Sequence, residues 1–312
     1  MKLKIIDYED VNRDIATSNP TIHFNTSFHT KDEAPDLEPP SEAPSYFRRW
    51  LPLILRTRDM PPTAAQTIGL SRSQAKLLVE AANGSVQTRA INRMYAEDLE
   101  DKIAPALSSV SFPPEGLFMR LDAFSPKDGA CKVPGRRSLH TVDEAILRLV
   151  TSSRARNALS DALESGAERV DIFFVPFYPR MQSEREYRAF CPPGRRRITA
   201  VSQYRWHQPW MMSELQSLEE IEGVTGKILR GIESLHGQIL EDLEEDSDMD
   251  RLLLEQGFTF DSFFDEETGG CQLIELNGFG VRSSCGSCLL QWVRDRSLLY
   301  GAESDVEFRI TR

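Results

Sequence analysis

The sequence of 312 residues predicts an α+β fold with a largely antiparallel sheet. Strand-like segments occur in pairs joined by short turns, and they do not alternate regularly with helical segments. Residues 258–265 and 271–279 form one predicted hairpin around the turn "EETGG". Residues 185–191 and 198–206 form a second hairpin around "PPGRRR". Such pairing predicts antiparallel neighbours, since parallel strands need a longer crossover connection.

Two helices are predicted from their first turns. Ser71 with Gln74, and Thr141 with Glu144, have the spacing of a capping box, in which two side chains satisfy the free peptide groups of the first turn. The Asn-Gly pair at 83–84 predicts the end of the first of these helices. Both segments are therefore expected to be helical from the residue after the cap.

Further elements follow from the pattern of apolar residues. Residues 213–246 keep apolar side chains at roughly helical spacing and predict a long helix with a solvated acidic face. Residues 116–124 are strand-like, and residues 169–179 form a strand that is apolar on both faces. A strand that is apolar on both faces is expected at the centre of a sheet.

Composition divides the chain into three regions. Residues 1–45 are rich in proline and acid, which predicts a flexible N-terminal extension. Residues 46–110 are expected to form a helical or mixed region, and residues 111–312 the main domain.

Charge and cysteine content exclude several classes of protein. The net charge of −11 and the pI of about 5.1 argue against a nucleic-acid or anionic membrane surface. The sequence has no apolar run near the ~20 residues that a membrane helix needs. The five cysteines are odd in number and include a lone C-x-x-C at 285–288, which suits neither a disulfide framework nor a zinc site. We therefore expect a cytoplasmic protein with reduced thiols.

The last predicted hairpin carries the clearest candidate site. Asp261 lies on its first strand, and Glu275 and Asn277 lie two residues apart on its second. Because side chains two apart in a strand share a face, the three oxygen-bearing groups can converge on one side. Such hard oxygen donors suit Mg²⁺. The alternative is a polar, solvent-facing strand edge.

Two arginines in apolar strands are candidates for binding phosphate. Arg120 in "LFMRLDAF" and Arg188 in "EYRAF" each place a lone charge among apolar residues, where a charge is costly without a partner. A guanidinium can meet phosphate through its fork of donors. Alternatively, each arginine snorkels to the surface or bridges to Asp122 or Glu186.

The order of these segments resembles the cell-division-cycle protein 123 family. The resemblance covers roughly residues 115–300 and rests on "FMRLDAFSPKDGA", "EREYRAFC" with "ITAVSQYRW", and "FTFDSFFD" with "CQLIELNGFGVRSSCGSCLLQW". It implies an ATP-grasp fold, in which two lobes with mainly antiparallel sheets enclose a nucleotide cleft. The smaller lobe would span about 111–175 and the larger lobe about 176–312.

The resemblance also implies roles for individual residues. It makes Arg120 the cation that faces phosphate, places Arg188 at the phosphate end of the site, and gives the backbone around residues 175–178 to adenine. It implies that Mg²⁺ is bound by Asp261, Glu275 and Asn277. The full set implied for ATP is Arg120, Asp122, Val175, Phe177, Tyr178, Glu186, Arg188 and Asp261.

The sequence departs from the family pattern at Glu275, where the family has aspartate, and at Gly278, where it has proline. The N-terminal third resembles the family weakly. The resemblance implies an ATP-dependent assembly chaperone for translation initiation factor 2 that binds the gamma subunit of that factor. The alternative is an ATP-dependent carboxylate–amine ligase that activates a small-molecule acid as an acyl phosphate for attack by an amine. A third reading is a nucleotide-binding scaffold without turnover.

Overall fold

The chain forms two sheets, each in its own compact unit. The structure is a computed structural model and describes residues 1–17, 23–27 and 29–312. Unit 1 comprises Met1–Met60 and Arg180–Arg312, and unit 2 comprises Pro61–Pro179. The strands are β1 (Lys2–Ile6), β2 (Gln66–Ser71), β3 (Leu117–Leu121), β4 (Arg169–Pro176), β5 (Glu186–Cys191), β6 (Ala200–Gln203), β7 (Phe258–Phe264), β8 (Cys271–Gly278) and β9 (Glu307–Thr311).

The described residues also form ten α-helices. They are α1 (Tyr8–Ala16), α2 (Phe47–Arg56), α3 (Arg72–Thr88), α4 (Ala96–Lys102), α5 (Ala104–Leu107), α6 (Val142–Val150), α7 (Ser153–Glu164), α8 (Leu218–Glu241), α9 (Asp248–Gln256) and α10 (Arg296–Leu299). None of them is both long and apolar enough to cross a membrane.

The sheet of unit 1 has the strand order β1-β9-β6-β5-β7-β8. The pairs β1–β9 and β9–β6 are parallel, whereas β6–β5, β5–β7 and β7–β8 are antiparallel. The two hairpins expected from the sequence are therefore present as β5–β6 and β7–β8. Together with the three antiparallel strands of unit 2, they confirm the predicted α+β class with largely antiparallel sheets.

One face of the sheet of unit 1 forms an apolar core with α8. Phe260 pairs with Ala189 across the strands, and both are completely buried. His236 of α8 stacks on Phe258 and Phe260, with ring centroids 6.1 and 6.2 Å apart. Burial lowers the pKa of His236 to about 4, so its ring is neutral at neutral pH. The opposite face carries a row of polar residues, beside which Phe190 packs against Trp292 in a second apolar cluster.

The N-terminal segment differs from the expectation of a flexible extension over residues 1–45. Lys2–Ile6 forms edge strand β1 of the main sheet, in parallel register with β9. The partner strand lies about 300 residues away in the sequence, so local composition carried no sign of the pairing. Part of the expected extension, residues 18–22 and 28, lies outside the described residues. The expected boundaries at 45, 110 and 175 also differ from the unit boundaries, which follow Met60 and Pro179.

The sheet of unit 2 has the order β2-β4-β3 and is antiparallel throughout. Its central strand is β4, as the apolar character of both its faces predicted. Ser71 and Gln74 form a complete capping box at the start of α3. The Asn-Gly pair at 83–84 makes a kink rather than the predicted end, because Gly84 adopts φ of 87° and the helix resumes beyond it.

The turn between β3 and α6 is tied to the N-terminus of α7. The Asp128 carboxylate accepts hydrogen bonds from the peptide N–H of Ser153 at 2.9 Å and of Arg154 at 3.3 Å, and from the hydroxyls of Ser152 and Ser153. Burial would raise the pKa of Asp128, but the hydrogen bonds from the two serines and from Arg154 outweigh it and lower the pKa. The negative charge is thus held at the positive end of the helix.

Replacing Asp128 with alanine is expected to destabilise α7 by about 1–2 kcal/mol, since it removes the acceptor for these free N–H groups. Because the pKa of Asp128 is lower in the folded chain, its contribution is present above about pH 4 and is lost as the pH falls through the folded pKa. Amide hydrogen exchange of α7 peptides at pH 7 measures the effect. Asp143→Ala, which removes an exposed acid in the first turn of α6, is the control and should leave the exchange of α7 unchanged.

Candidate functional site

A row of polar residues crosses the second face of the sheet of unit 1. Glu275 on β8 is opposite Asp261 on β7, which is opposite Arg188 on β5. The row continues through Ser202 on β6 to Arg309 on β9. Directly opposed residues point to the same face of a sheet, so an acid, a second acid and a cation are lined up on neighbouring strands.

Arg188 and Asp261 form a buried, bidentate ion pair. Nε and Nη2 of Arg188 each donate to one carboxylate oxygen of Asp261 at 2.7 Å, and Nη1 donates to the carbonyl of Gly286 at 2.6 Å. The arginine side chain is 7% exposed and the aspartate side chain 1%. Burial would lower the pKa of Arg188, but the negative charge of Asp261 holds it well above its ordinary value. The expected alternative partner, Glu186, is not the acid that makes this pair.

Asn277 lies on the same face as Glu275, two residues along β8 and opposite Thr259. Its Nδ2 atom is buried and has no hydrogen-bond partner among the described residues. A buried amide without a partner is costly. The oxygen and nitrogen of an amide side chain can exchange places by a flip, so this position can also present an acceptor. The structure thus brings together the three residues predicted to bind a metal, and one of them has an unused polar atom.

Gly278 follows Asn277 on β8, and Pro40 of the N-terminal segment packs close to it. A Cβ atom at this position would come within 3.0 Å of Cγ of Pro40 and 3.3 Å of Oγ of Ser283. The close approach of Pro40 therefore explains glycine at this position, where the resembling family has proline.

Tyr204 is a residue of this site that the sequence reasoning missed. It follows β6, its peptide N–H donates to the carbonyl of Glu186 at 2.9 Å, and its ring centroid lies 5.1 Å from Cζ of Arg188. Burial raises the pKa of Tyr204, Arg188 opposes the rise, and Asp261, Glu275 and Glu186 add to it. The ring of Tyr204 therefore lies against the guanidinium of Arg188. The sequence feature that points to Tyr204 is an aromatic residue directly after the predicted strand "AVSQ".

A loop from the C-terminal part of the chain covers the middle of this polar face. The peptide N–H of Leu289 donates to Oγ of Ser202 at 3.1 Å, and Sγ of Cys285 lies 3.1 Å from Oγ1 of Thr259. Burial raises the pKa of Cys285 to about 11 and that of Cys288 to about 12, so both thiols are protonated at neutral pH. Both are free cysteines, as the sequence predicted.

Within the described part of the chain, no three side chains of His, Cys, Asp and Glu come together as a metal-binding group. A metal on this face would therefore rest on two carboxylates and the amide of Asn277. That donor set is all oxygen once the amide is oriented, which suits a hard cation such as Mg²⁺ and not zinc.

The predicted cation of unit 2, Arg120, lies on β3 opposite Phe173 and is only 4% exposed. Its Nε lies 3.3 Å from the carbonyl of Leu121, and its Nη2 lies 3.5 Å from the carbonyl of Ala123. Asp122 follows β3 directly. Arg120 thus donates hydrogen bonds to peptide carbonyls at the end of β3 and in the turn that follows it. Its contact with phosphate remains a prediction.

The segment predicted to meet adenine is at the end of β4. Val175 is buried and pairs with Phe118, and the peptide N–H of Phe177 donates to the carbonyl of Gly116 at 3.0 Å. Tyr178 follows, partly buried. The hydrogen bond to Gly116 already uses the N–H of Phe177, so a hinge role would fall to the other peptide groups of this segment.

The fold and the polar row describe an α+β protein in which a largely antiparallel sheet carries two acids and a cation across three strands. Among solved structures, the chain is similar to Cdc123 from Schizosaccharomyces pombe, with a TM-score of 0.56 and 18% identity over 92% of this chain and 100% of that chain. It is also similar to a C-terminally truncated form of the same protein, with a TM-score of 0.54 and 17% identity over the same shares. No protein-family model and no curated protein matches the sequence. The chain therefore has the fold of Cdc123.

Proposed function

We propose that the chain binds Mg²⁺-ATP and acts as an ATP-dependent assembly factor for translation initiation factor 2. One observation carries the proposal: Glu275, Asp261 and Asn277 share one face of β7 and β8, and the amide of Asn277 has a buried nitrogen with no hydrogen-bond partner among the described residues, a position where a flip would place the amide oxygen. This is the arrangement that a hard, oxygen-binding cation would complete. When bound, Mg²⁺ would neutralise charge on the phosphates of the nucleotide.

In this proposal Asp261 binds both Arg188 and the cation. Arg188 donates one hydrogen bond to each carboxylate oxygen, which fixes the orientation of the group. The guanidinium also places a positive charge beside a carboxylate that is almost completely buried. Arg188 would therefore act as a positioning residue that holds Asp261 in place. The ring of Tyr204, which packs against the guanidinium, would in turn fix the orientation of Arg188.

Glu275 would supply the second charge. It is half-buried and opposite Asp261, so the two carboxylates lie on adjacent strands. A divalent cation bound on this face would have both carboxylates as ligands. The other contacts with ATP that the family resemblance implies remain predictions for each unit by itself: Glu186 in unit 1, and Arg120, Asp122, Val175, Phe177 and Tyr178 in unit 2.

Two findings support the assembly role. The chain has the fold of Cdc123, and its sequence segments resemble those of that family and occur in the same order. The family resemblance implies that the partner is the gamma subunit of translation initiation factor 2. A net charge of −11 also suits a partner with a basic surface.

Glu275→Gln is expected to weaken binding of Mg²⁺-ATP by about 10- to 100-fold, because it removes one anionic ligand and leaves the shape of the side chain unchanged. Titration calorimetry with and without Mg²⁺ measures the effect, and the loss should appear only with the metal present. Glu233→Gln, which neutralises an exposed acid on α8, is the matched control. Equal affinities of Glu275→Gln and the control, with the fold intact, would rule out this metal site.

The assembly role has its own test. The full chain is expected to retain the purified gamma subunit of translation initiation factor 2 in a pull-down with Mg²⁺-ATP, and to release it when the nucleotide is omitted. The same preparation is assayed for ADP formation with a panel of small acids and amines. No retention, together with ADP formation that depends on an acid and an amine, would replace the assembly role by that of a ligase.

A further inference from the structure

Arg148 on α6 is a buried cation without a counter-ion among the described residues. The residue is 7% exposed, and among the described residues its only hydrogen-bond acceptors are a thiol and a peptide carbonyl. Its Nε is buried and has no hydrogen-bond partner there. Glu144, one turn earlier on the same helix, binds Arg136 and the peptide N–H of His140 instead. A buried charge left in this state is unfavourable, so a group that compensates it is expected.

The guanidinium is aimed at Cys131. Nη2 of Arg148 lies 3.2 Å from Sγ of Cys131 and 3.4 Å from the carbonyl of Arg137. Gly129 makes room for this path, since a Cβ there would lie 2.7 Å from Cδ of Arg148 and 2.3 Å from its carbonyl oxygen. The loop and the helix thus hold a cation against the sulfur.

Cys131 differs from the other four cysteines in its surroundings. It is half-buried, as Cys271 is, so a small reagent can reach it, and of the five it is the thiol that receives a hydrogen bond from an arginine in the described part of the chain. Burial raises the pKa of Cys191, of Cys271 to about 12, of Cys285 to about 11 and of Cys288 to about 12. Those four thiols are protonated and weakly nucleophilic at neutral pH, because the thiolate is the reactive form.

We propose that Cys131 is a nucleophilic thiol and a site of covalent modification by small electrophiles, hydroperoxides included. Arg148 donates to the sulfur and holds a positive charge against it, so the negative charge of an attacking sulfur would compensate the buried guanidinium. With a hydroperoxide, the sulfur gives an electron pair to the nearer oxygen and the O–O bond breaks. The departing oxygen takes a proton from water, which replaces the one that the thiol has released, and leaves as an alcohol or water. The sulfur is oxidised to a sulfenic acid and the peroxide is reduced.

The test compares alkylation rates of individual cysteines in the full chain. The protein is treated with limiting iodoacetamide at pH 7 and then digested, and mass spectrometry follows each of the five cysteines. We expect Cys131 to react at least tenfold faster than each other cysteine, and about tenfold faster than Cys131 itself in the urea-unfolded chain. Exposure alone cannot make a folded thiol faster than the unfolded one, so this ratio reports activation.

Variants of the cation give the second measurement. Arg148→Met should slow alkylation of Cys131 about tenfold, and Arg148→Lys should restore part of the rate because it keeps the charge. Arg137→Ala is the matched control, since it removes an exposed neighbouring charge that does not contact the sulfur. Hydrogen peroxide with a sulfenic-acid probe should label Cys131 first. A folded rate no higher than the unfolded rate, or equal rates in wild type, Arg148→Met and Arg148→Lys, would overturn the proposal.

Discussion

Replacing Arg188 with methionine is expected to lower the free energy of unfolding of unit 1 by about 4 kcal/mol. Methionine keeps much of the volume but leaves the carboxylate of Asp261 buried without the two hydrogen bonds at 2.7 Å that satisfy it. It also removes the donor to the carbonyl of Gly286 in the loop over the polar face. The loss is large because one partner of a buried pair remains as an uncompensated charge.

Tryptophan emission in a urea titration measures this loss in unit 1 specifically. All four tryptophans of the chain, at positions 50, 206, 210 and 292, belong to unit 1. The transition seen by fluorescence therefore reports the unfolding of unit 1 alone, even if unit 2 unfolds separately. The midpoint should move to lower urea with little change in slope.

Two further variants separate the ion pair from general damage. Arg196→Met, at the exposed tip of the β5–β6 loop, should change stability by less than about 0.5 kcal/mol. The double variant Arg188→Met with Asp261→Leu should be more stable than Arg188→Met alone, because it also removes the buried carboxylate that has lost its arginine. If the double variant lost as much as the two single variants added together, the pair would not be coupled as the geometry indicates.

Local patterns predicted the local parts of the site correctly. The alternation of Asp261, Glu275 and Asn277 in a predicted hairpin indicated one shared face, and the strand register confirms that placement. The hairpin has a short turn, and its side chains repeat with a period of two, so the sequence alone contains the needed information. Their role as metal ligands is a prediction that the register does not test.

Contacts between distant segments were beyond the reach of the sequence. A lone arginine in an apolar strand correctly indicated that Arg188 must have a partner, but the candidates considered were Asp122 and Glu186. The partner is Asp261, 73 residues away on a neighbouring strand. For the same reason, no local pattern indicates that Tyr204 lies beside Arg188 or that Lys2–Ile6 pairs with β9. Strand order is set by tertiary packing, which no single segment encodes.

Helix starts show the same limit on a smaller scale. The capping box of Ser71 and Gln74 is complete, whereas that of Thr141 and Glu144 is only half formed. Oγ1 of Thr141 accepts from the peptide N–H of Glu144 at 3.2 Å, as predicted. The Glu144 side chain instead binds Arg136 and the N–H of His140. A tertiary cation competes with the local cap for the same carboxylate, and the sequence pattern does not show that competitor.

Replacing Arg49 with methionine is expected to destabilise unit 1 by about 3 kcal/mol. Arg49 on α2 makes a bidentate pair with Asp250 of α9, at 3.0 and 2.7 Å, and also contacts the carboxylate of Asp242 at 2.9 Å. Asp250 is only 1% exposed, so removing its partner leaves a buried carboxylate. The arginine side chain is itself 25% exposed, which is why we expect a smaller loss than at Arg188.

Arg56→Met is the matched control, because Arg56 binds the same Asp242 at 2.6 Å from a side chain that is 56% exposed. A solvent-exposed pair contributes at most about 1 kcal/mol, so this variant should remain close to wild type in the tryptophan-monitored urea titration. A large difference between the two variants would show that burial of Asp250, and not the number of ion pairs on Asp242, ties α2 to α9. Equal, small losses would contradict this, and would mean that water reaches Asp250 once Arg49 is gone. In that case the packing of α2 would depend on its apolar residues, Trp50, Leu53 and Ile54, which are completely buried.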